Sequence, residues 1–126
     1  MLCSMPSQPA GAALRILVAD DDDLLSEVLA RALEGDGYEV SCAPRGLISP
    51  ALIRTVDLVI LDANIPGIDF AWALRLLRES ETTVLVVSGE LSPPPDVGDD
   101  EYLAKPVELD RLLAAVRRLA SPASAA

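Results

Sequence analysis

The sequence contains no histidine, and basic residues are scarce. Acidic residues outnumber basic residues by 20 to 10, which gives a formal net charge of -10 at pH 7, and Lys105 is the only lysine. The absence of histidine excludes Ser-His-Asp and Cys-His catalytic centres and histidine zinc sites within this chain. The negative charge predicts no nucleic-acid partner, because nucleic-acid binding needs a basic surface.

Cysteines and long apolar runs are also few. The two cysteines, Cys3 and Cys42, do not form the framework typical of a small secreted domain. No apolar run approaches the roughly 18–20 residues that a membrane-spanning helix needs, and the first dozen residues lack a signal-peptide pattern. We therefore expect a cytoplasmic protein with no membrane partner, in which Cys42 fills a small space in the core.

The length and composition predict one globular domain. The chain has 126 residues, of which 51% are hydrophobic, so a core of ordinary size can form. Pro-, Ala-, Gly- and Ser-rich ends predict a flexible lead at 1–13 and a flexible tail at 120–126, on either side of a domain at 14–119. We expect no output domain after position 119, so that a signal would leave by protein contact.

Short apolar runs alternate with amphipathic segments along the domain. This alternation predicts an α/β fold with a doubly wound parallel sheet. Three consecutive prolines within 89–100 exclude a regular helix there. The predicted strands are 16–19, 38–42, 58–61, 84–87 and 101–104, and the predicted helices lie within 24–33, 47–54 (which contains Pro50), 70–77 and 109–119.

Polar residues stand where the apolar strands end. Asp20 and Asp21 follow the first strand, Asp62 the third, Ser88 the fourth and Lys105 the fifth. In doubly wound sheets the functional site lies beyond the carboxyl ends of the strands, so we expect these side chains to lie together. Taken singly, the aspartates could also cap helices or end turns, and the serine could be an ordinary loop residue.

Such a cluster has a recognisable chemistry. Neighbouring carboxylates repel each other unless a cation lies between them, and an all-oxygen site suits Mg²⁺. A carboxylate can also act as a nucleophile and form an aspartyl phosphate. A nearby cation and hydroxyl would then stabilise the phosphoryl oxygens, and Lys105 and Ser88 have the matching side chains.

Four segments resemble the receiver domain of two-component response regulators. They are ILVADDD, LDANIPG, VSG and YLAKP, in that order, and the resemblance covers 14–119. It implies a flavodoxin-like, five-stranded sheet of order 2-1-3-4-5. It implies that Asp62 is the phospho-acceptor and that Mg²⁺ is held by Asp20, Asp21, Asp62 and the backbone carbonyl of Asn64. It implies that Ser88 and Lys105 contact the phosphoryl group and that Tyr102 is an aromatic switch. It also implies that Asn64 and Glu90 set the lifetime of the phosphoryl group and that Pro106 is a cis-proline.

The missing fourth helix and the Ser88-Gly89 pair are similar to a subgroup of single-domain receivers. In that subgroup the fourth strand ends in Thr/Ser-Gly-Tyr, the fourth helix is absent, and the partners are typically histidine kinases of the HWE/HisKA2 type. Glu90 stands where that signature has tyrosine.

The resemblance implies a single-domain response regulator. It would receive a phosphoryl group from a histidine kinase or a histidine phosphotransfer protein in a Mg²⁺-dependent phosphorelay, and would contact a downstream protein target. We expect it to catalyse only its own phosphorylation and dephosphorylation. One alternative is a Mg²⁺-dependent aspartyl-phosphate phosphohydrolase, which Asn64 disfavours because such enzymes usually have a second aspartate there. The other alternative is an interaction module that works without phosphorylation.

Overall fold

A computed structural model describes residues 13–120. The predicted flexible lead at 1–13 and tail at 120–126 lie outside the described residues apart from Ala13 and Ala120, and so does Cys3. Within the described residues, no helix has the length and apolar content needed to cross a bilayer.

Five parallel strands form one sheet in the order β2-β1-β3-β4-β5. This arrangement confirms the predicted α/β class, the parallel sheet and the strand order 2-1-3-4-5. β1 and β3 are central, so their carboxyl ends are adjacent. The strands are β1 (Arg15–Ala19), β2 (Glu39–Cys42), β3 (Leu58–Asp62), β4 (Thr83–Ser88) and β5 (Tyr102–Ala104).

Four α-helices connect and cover the strands. Asp22 caps the first helix by accepting a hydrogen bond from the N–H of Leu25 at 3.1 Å, and Asp69 caps the third through the N–H of Trp72 at 3.3 Å. Between β4 and β5 the structure contains only a 3₁₀ turn, Asp99–Glu101. This confirms the expected absence of a regular helix between these two strands. The helices are α1 (Asp23–Gly35), α2 (Pro50–Ile53), α3 (Phe70–Glu79) and α4 (Leu109–Ala120).

Helix α2 is shorter than the segment 47–54 predicted for it. It begins at Pro50, and the Ser49 hydroxyl oxygen caps it by accepting a hydrogen bond from the N–H of Leu52 at 3.2 Å. Proline is favourable at a first helical position, because the N–H that it lacks has no partner within the helix. Pro50 therefore starts this helix instead of interrupting it.

The core has two layers, one on each face of the sheet. α2 and α3 cover one face and α1 and α4 cover the other, so alternate side chains of the central strands are buried on both sides. The prediction that Cys42 fills the core was wrong, because this residue is exposed near the carboxyl end of the edge strand β2. The largest fully buried side chains are Ile16, Leu17, Leu29, Leu33, Ile53, Leu58, Ile60, Leu61, Leu77, Leu85 and Leu112, with Val18.

The long β4–β5 connection, residues 89–101, is anchored in its second half. Val97 is buried in the layer formed with α3. From α3, the Arg78 guanidinium donates hydrogen bonds to both carboxylate oxygens of Glu101, at 2.6 and 2.8 Å, and to the backbone carbonyl of Asp96 at 2.8 Å. These contacts hold residues 96–101 against α3.

Candidate functional site

Three carboxylates meet at the carboxyl edge of the sheet. Asp20 follows β1, Asp62 is the last residue of β3, and Asp21 begins the loop into α1. One carboxylate oxygen of each lies within 4.8 Å of the others. Asp20 and Asp62 are only 2% and 4% exposed, whereas Asp21 faces solvent. The sequence-predicted acidic cluster is therefore present as an assembled group.

Lys105 lies between the two buried carboxylates. Its Nζ is 3.1 Å from Oδ2 of Asp20 and 3.3 Å from Oδ2 of Asp62. Burial lowers the pKa of Lys105, but its contact with Asp20 and the charges of Asp20 and Asp62 outweigh this effect and raise it overall. The lysine thus stays charged and supplies a fixed cation beside Asp62.

The Asp62 carboxyl is harder to ionise than an ordinary aspartate. Burial raises its pKa most, the N–H of Asn64 lowers it by a hydrogen bond of 2.9 Å to Oδ1, and the charge of Asp20 raises it again. Lys105 lowers the pKa of Asp62, but the combined effect of all these groups raises it. A further cation at this site would favour the ionised carboxylate.

The donor set fits Mg²⁺. The cluster offers only carboxylate oxygens, which a small hard cation prefers. One lysine faces three carboxylates, so the group has an excess of negative charge. Oδ1 of Asp20 accepts a hydrogen bond from the N–H of Asp22 at 2.9 Å. The buried Oδ2 receives no well-aligned hydrogen bond from any described residue, although Nζ of Lys105 is close. Asp20, Asp21 and Asp62 are therefore the residues that would hold the ion.

Ser88 lies beside this cluster at the end of β4. Its Oγ donates a hydrogen bond to Oδ1 of Asn64 at 3.0 Å and accepts one from the N–H of Glu90 at 3.1 Å. Its carbonyl accepts a hydrogen bond from the N–H of Lys105 at 2.7 Å, which aligns β5 with β4. Ser88 thus lies near Asp62, as the strand-end rule predicts, and the bond from its hydroxyl connects it to Asn64.

Tyr102 and Pro106 flank Lys105 along the chain. The half-buried ring of Tyr102 packs against the α3 side of the core, and its hydroxyl donates a hydrogen bond to the carbonyl of Glu90. The peptide bond between Lys105 and Pro106 is cis, as the resemblance implies. The structure therefore links Tyr102 to the loop that begins at Ser88.

Gly46 is a supporting residue that the sequence did not reveal. It has φ +74°, and a Cβ there would lie 2.8 Å from Cδ1 of Ile65, 3.2 Å from the carbonyl carbon of Asp20 and 3.3 Å from the N of Asp21. Only glycine allows the Pro44–Gly46 turn to approach the Asp20–Asp21 backbone so closely. The only local signal was a Pro-Arg-Gly sequence, which is common in turns.

Comparison with protein families and curated proteins matches most of the chain. Residues 16–117 match the response regulator receiver domain. Response regulator MprA from Mycobacterium sp. (strain KMS) is 37% identical over an alignment of length 115, which covers 84% of this chain and 50% of MprA. The chain spans about half the length of the curated relatives that it matches.

Solved structures show the same fold. A receiver domain protein from Methanospirillum hungatei JF-1 has a TM-score of 0.71 and 28% identity, over 86% of this chain and 95% of that one. Response regulator TrrA from Thermotoga maritima, solved in complex with Mg²⁺-BeF, has a TM-score of 0.67 and 27% identity, over 84% of this chain and 98% of that one. The chain therefore belongs to the response regulator receiver domain family of two-component signalling.

Proposed function

We propose that Asp62 accepts a phosphoryl group from a histidine kinase or a histidine phosphotransfer protein, with Mg²⁺ bound. The observation that carries this proposal is the environment of the Asp62 carboxylate. It is buried, it lies with Asp20 and Asp21 in a group of oxygens within 4.8 Å, and Nζ of Lys105 is 3.3 Å from it. A nucleophile that is surrounded in this way by oxygen ligands and one cation suits phosphoryl transfer.

The transfer exchanges one bond for another. A carboxylate oxygen of Asp62 attacks the phosphorus of the partner's phosphohistidine, an O–P bond forms, and the P–N bond breaks. The imidazole nitrogen keeps the electron pair and takes up a proton. Bound Mg²⁺ supplies positive charge to the carboxylates and the phosphoryl oxygens.

The chain's own side chains then hold the product. Lys105, already 3.3 Å from Asp62, pairs with one phosphoryl oxygen, and the Ser88 hydroxyl donates a hydrogen bond to another. The phosphoryl group carries about 1.5–2 negative charges, enough to draw both groups towards it. We propose that the chain turns over no free substrate beyond its own phosphorylation and dephosphorylation.

We further propose that this is a single-domain receiver of the subgroup without a fourth helix, served in the cytoplasm by kinases of the HWE/HisKA2 type. The 3₁₀ turn at Asp99–Glu101 in place of that helix supports the assignment. The net charge of -10 supports signalling by protein contact, with no direct binding of this chain to nucleic acid. Phosphotransfer profiling tests the pairing: HWE/HisKA2 kinases are expected to label the protein faster than other histidine kinases.

Labelling of Asp62 tests the main proposal. The wild-type protein should be labelled by a radioactive small-molecule phosphodonor in MgCl₂ but not in EDTA, and Asp62→Asn should remain unlabelled. Asp69→Asn is the matched control, because it removes a carboxylate elsewhere while asparagine preserves the α3 cap.

The other outcomes separate the alternatives. Labelling of Asp62→Asn would contradict the acceptor assignment. Sustained turnover of a phosphate ester by the wild-type protein would favour a phosphohydrolase. A wild-type protein that takes up no label and binds no beryllofluoride in MgCl₂ would favour an interaction module that works without phosphorylation.

A further inference from the structure

The hydroxyl of Ser88 is already engaged in the unphosphorylated protein. It donates to Oδ1 of Asn64 at 3.0 Å while Asn64 donates its backbone N–H to Oδ1 of Asp62 at 2.9 Å. A hydroxyl has a single proton to donate, so Ser88 cannot donate to Asn64 and to a phosphoryl oxygen at once. The Asn64 side chain and the phosphoryl group therefore compete for one donor.

Burial makes this competition unequal. Ser88 is 1% exposed, and in the described part of the chain Asn64 is the acceptor to which its hydroxyl is bonded. A buried hydroxyl without an acceptor is costly, so the bond to Asn64 stabilises the resting orientation. Asn64 is exposed, and water can solvate its amide oxygen after Ser88 leaves.

We propose that the side chain of Asn64 is a positioning residue that holds the Ser88 hydroxyl in the resting state and so raises the threshold for activation. This inference rests on the proposed function of Asp62. It differs from a direct effect of Asn64 on phosphoryl lifetime, because it acts through Ser88 and is present before any phosphoryl group arrives.

The same hydroxyl controls the start of the β4–β5 loop. Its Oγ accepts a hydrogen bond from the N–H of Glu90 at 3.1 Å, and the Glu90 carbonyl accepts a hydrogen bond from the hydroxyl of Tyr102. If the Ser88 side chain turns from Asn64 towards a phosphoryl oxygen, its Oγ moves and the contact with the N–H of Glu90 changes with it. Release of Ser88 is therefore coupled to the loop and to Tyr102.

A double-mutant cycle on beryllofluoride affinity tests the proposal. In MgCl₂, Asn64→Ala should bind beryllofluoride about three- to tenfold more tightly than wild type, since one net hydrogen bond no longer opposes binding. In a Ser88→Ala background, Asn64→Ala should change the affinity by less than about twofold. In a Ser88→Thr background, which keeps a hydroxyl at position 88, Asn64→Ala should again make beryllofluoride bind more tightly. Ser92→Ala, a serine of the same loop, is the control and should match wild type.

A second measurement needs no phosphoryl mimic. In the unliganded protein, Asn64→Ala should shift the amide resonance of Glu90, and the shift should vanish in the Ser88→Ala background. Equal effects of Asn64→Ala in wild-type and Ser88→Ala backgrounds would overturn the proposal, since Asn64 would then act without Ser88. Wild-type protein that binds no beryllofluoride would instead contradict the proposed function.

Discussion

Lys105 shows how much one residue contributes at this site. It is the only lysine in the chain and the residue whose cation contacts both buried carboxylates. Asp20 and Asp62 are almost fully buried, and an ionised carboxylate in such a place requires a partner. Before a phosphoryl group is present, Lys105 therefore serves the stability of the fold as well as the readiness of the site.

Lys105→Ala is expected to lower the free energy of unfolding in EDTA at pH 7 by about 1–3 kcal/mol, because two buried carboxylates lose their cation. The loss should shrink as the pH falls, because the Asp62 carboxyl, whose pKa burial already raises, then takes up a proton. Urea unfolding measures both effects.

The control for this substitution is Arg31→Ala, which breaks the exposed pair with Glu27 on α1 and should cost no more than about 0.5 kcal/mol. If Lys105→Ala were as stable as wild type in EDTA, the lysine would not be needed by the carboxylates in the resting state.

The residues at strand ends were predictable, and their partners were not. An apolar run that stops at Asp62 or Ser88 marks a strand end in the sequence itself. The bond between Ser88 and Asn64 depends on side-chain orientations across two strands, which no local pattern encodes. The approach of Gly46 to the Asp20–Asp21 backbone likewise depends on how a distant turn packs.

At the scale of elements, the β4–β5 connection has two different halves. Residues 96–101 are anchored to α3 through Arg78, whereas the start of the loop is bonded to the site through Ser88 and Tyr102. The first half is thus bonded to the site and the second half to α3. The prolines predicted the loss of the helix, but the pair that anchors the loop joins residues 78 and 101, too far apart in sequence to be predicted.

Glu101→Gln is expected to weaken this anchor by about 0.5–1 kcal/mol at pH 7, because the guanidinium loses its charged partner while the amide keeps the shape. The hydrogen bond from Arg78 lowers the pKa of Glu101, so the folded state binds this proton less readily than the unfolded state. The contribution is therefore full above the usual pKa of glutamate and is lost as the pH falls through the lowered pKa of the folded state.

Urea unfolding of both proteins between pH 7 and pH 3.5 checks this dependence, and the difference in stability should narrow at low pH. Glu108→Gln is the matched control, because both side chains of the ion pair between Glu108 and Arg111 are exposed. A difference between Glu101→Gln and wild type that stayed constant with pH would show that the charge of Glu101 does not stabilise the loop.

Two smaller predictions fail for reasons that belong to this scale. Pro50 interrupts the helical spacing of apolar residues in the sequence. Only the position of the cap that Ser49 forms shows that Pro50 begins the helix. The side chain of Cys42 is small and apolar, which is why we expected it in the core. It is exposed because it lies on the edge strand β2, whose side chains are less covered than those of β1 or β3.

At the scale of the whole molecule, sheet order determines the site. The order β2-β1-β3-β4-β5 places the end of β1 beside the end of β3, with β4 and β5 following, so residues distant in sequence converge at one edge. The alternation of buried apolar strands with helices was sufficient to predict a doubly wound parallel sheet, whereas the strand order followed from the resemblance to receiver domains. Part of the net charge of -10 is thereby concentrated at one edge and opposed there by one lysine.

We expect this concentration of charge to make the stability of the whole fold depend on a divalent cation. An ion that binds the folded state alone stabilises it by about 1.4 kcal/mol for each tenfold excess over its dissociation constant, so 10 mM MgCl₂ should raise the melting temperature above its value in EDTA. Asp20→Asn removes a buried ligand of the proposed ion, and most of the increase should be lost with it. NaCl at matched ionic strength is the control for screening of the general negative charge. An equal increase with NaCl, or an undiminished one in Asp20→Asn, would show that Mg²⁺ acts on the surface and not at the three carboxylates.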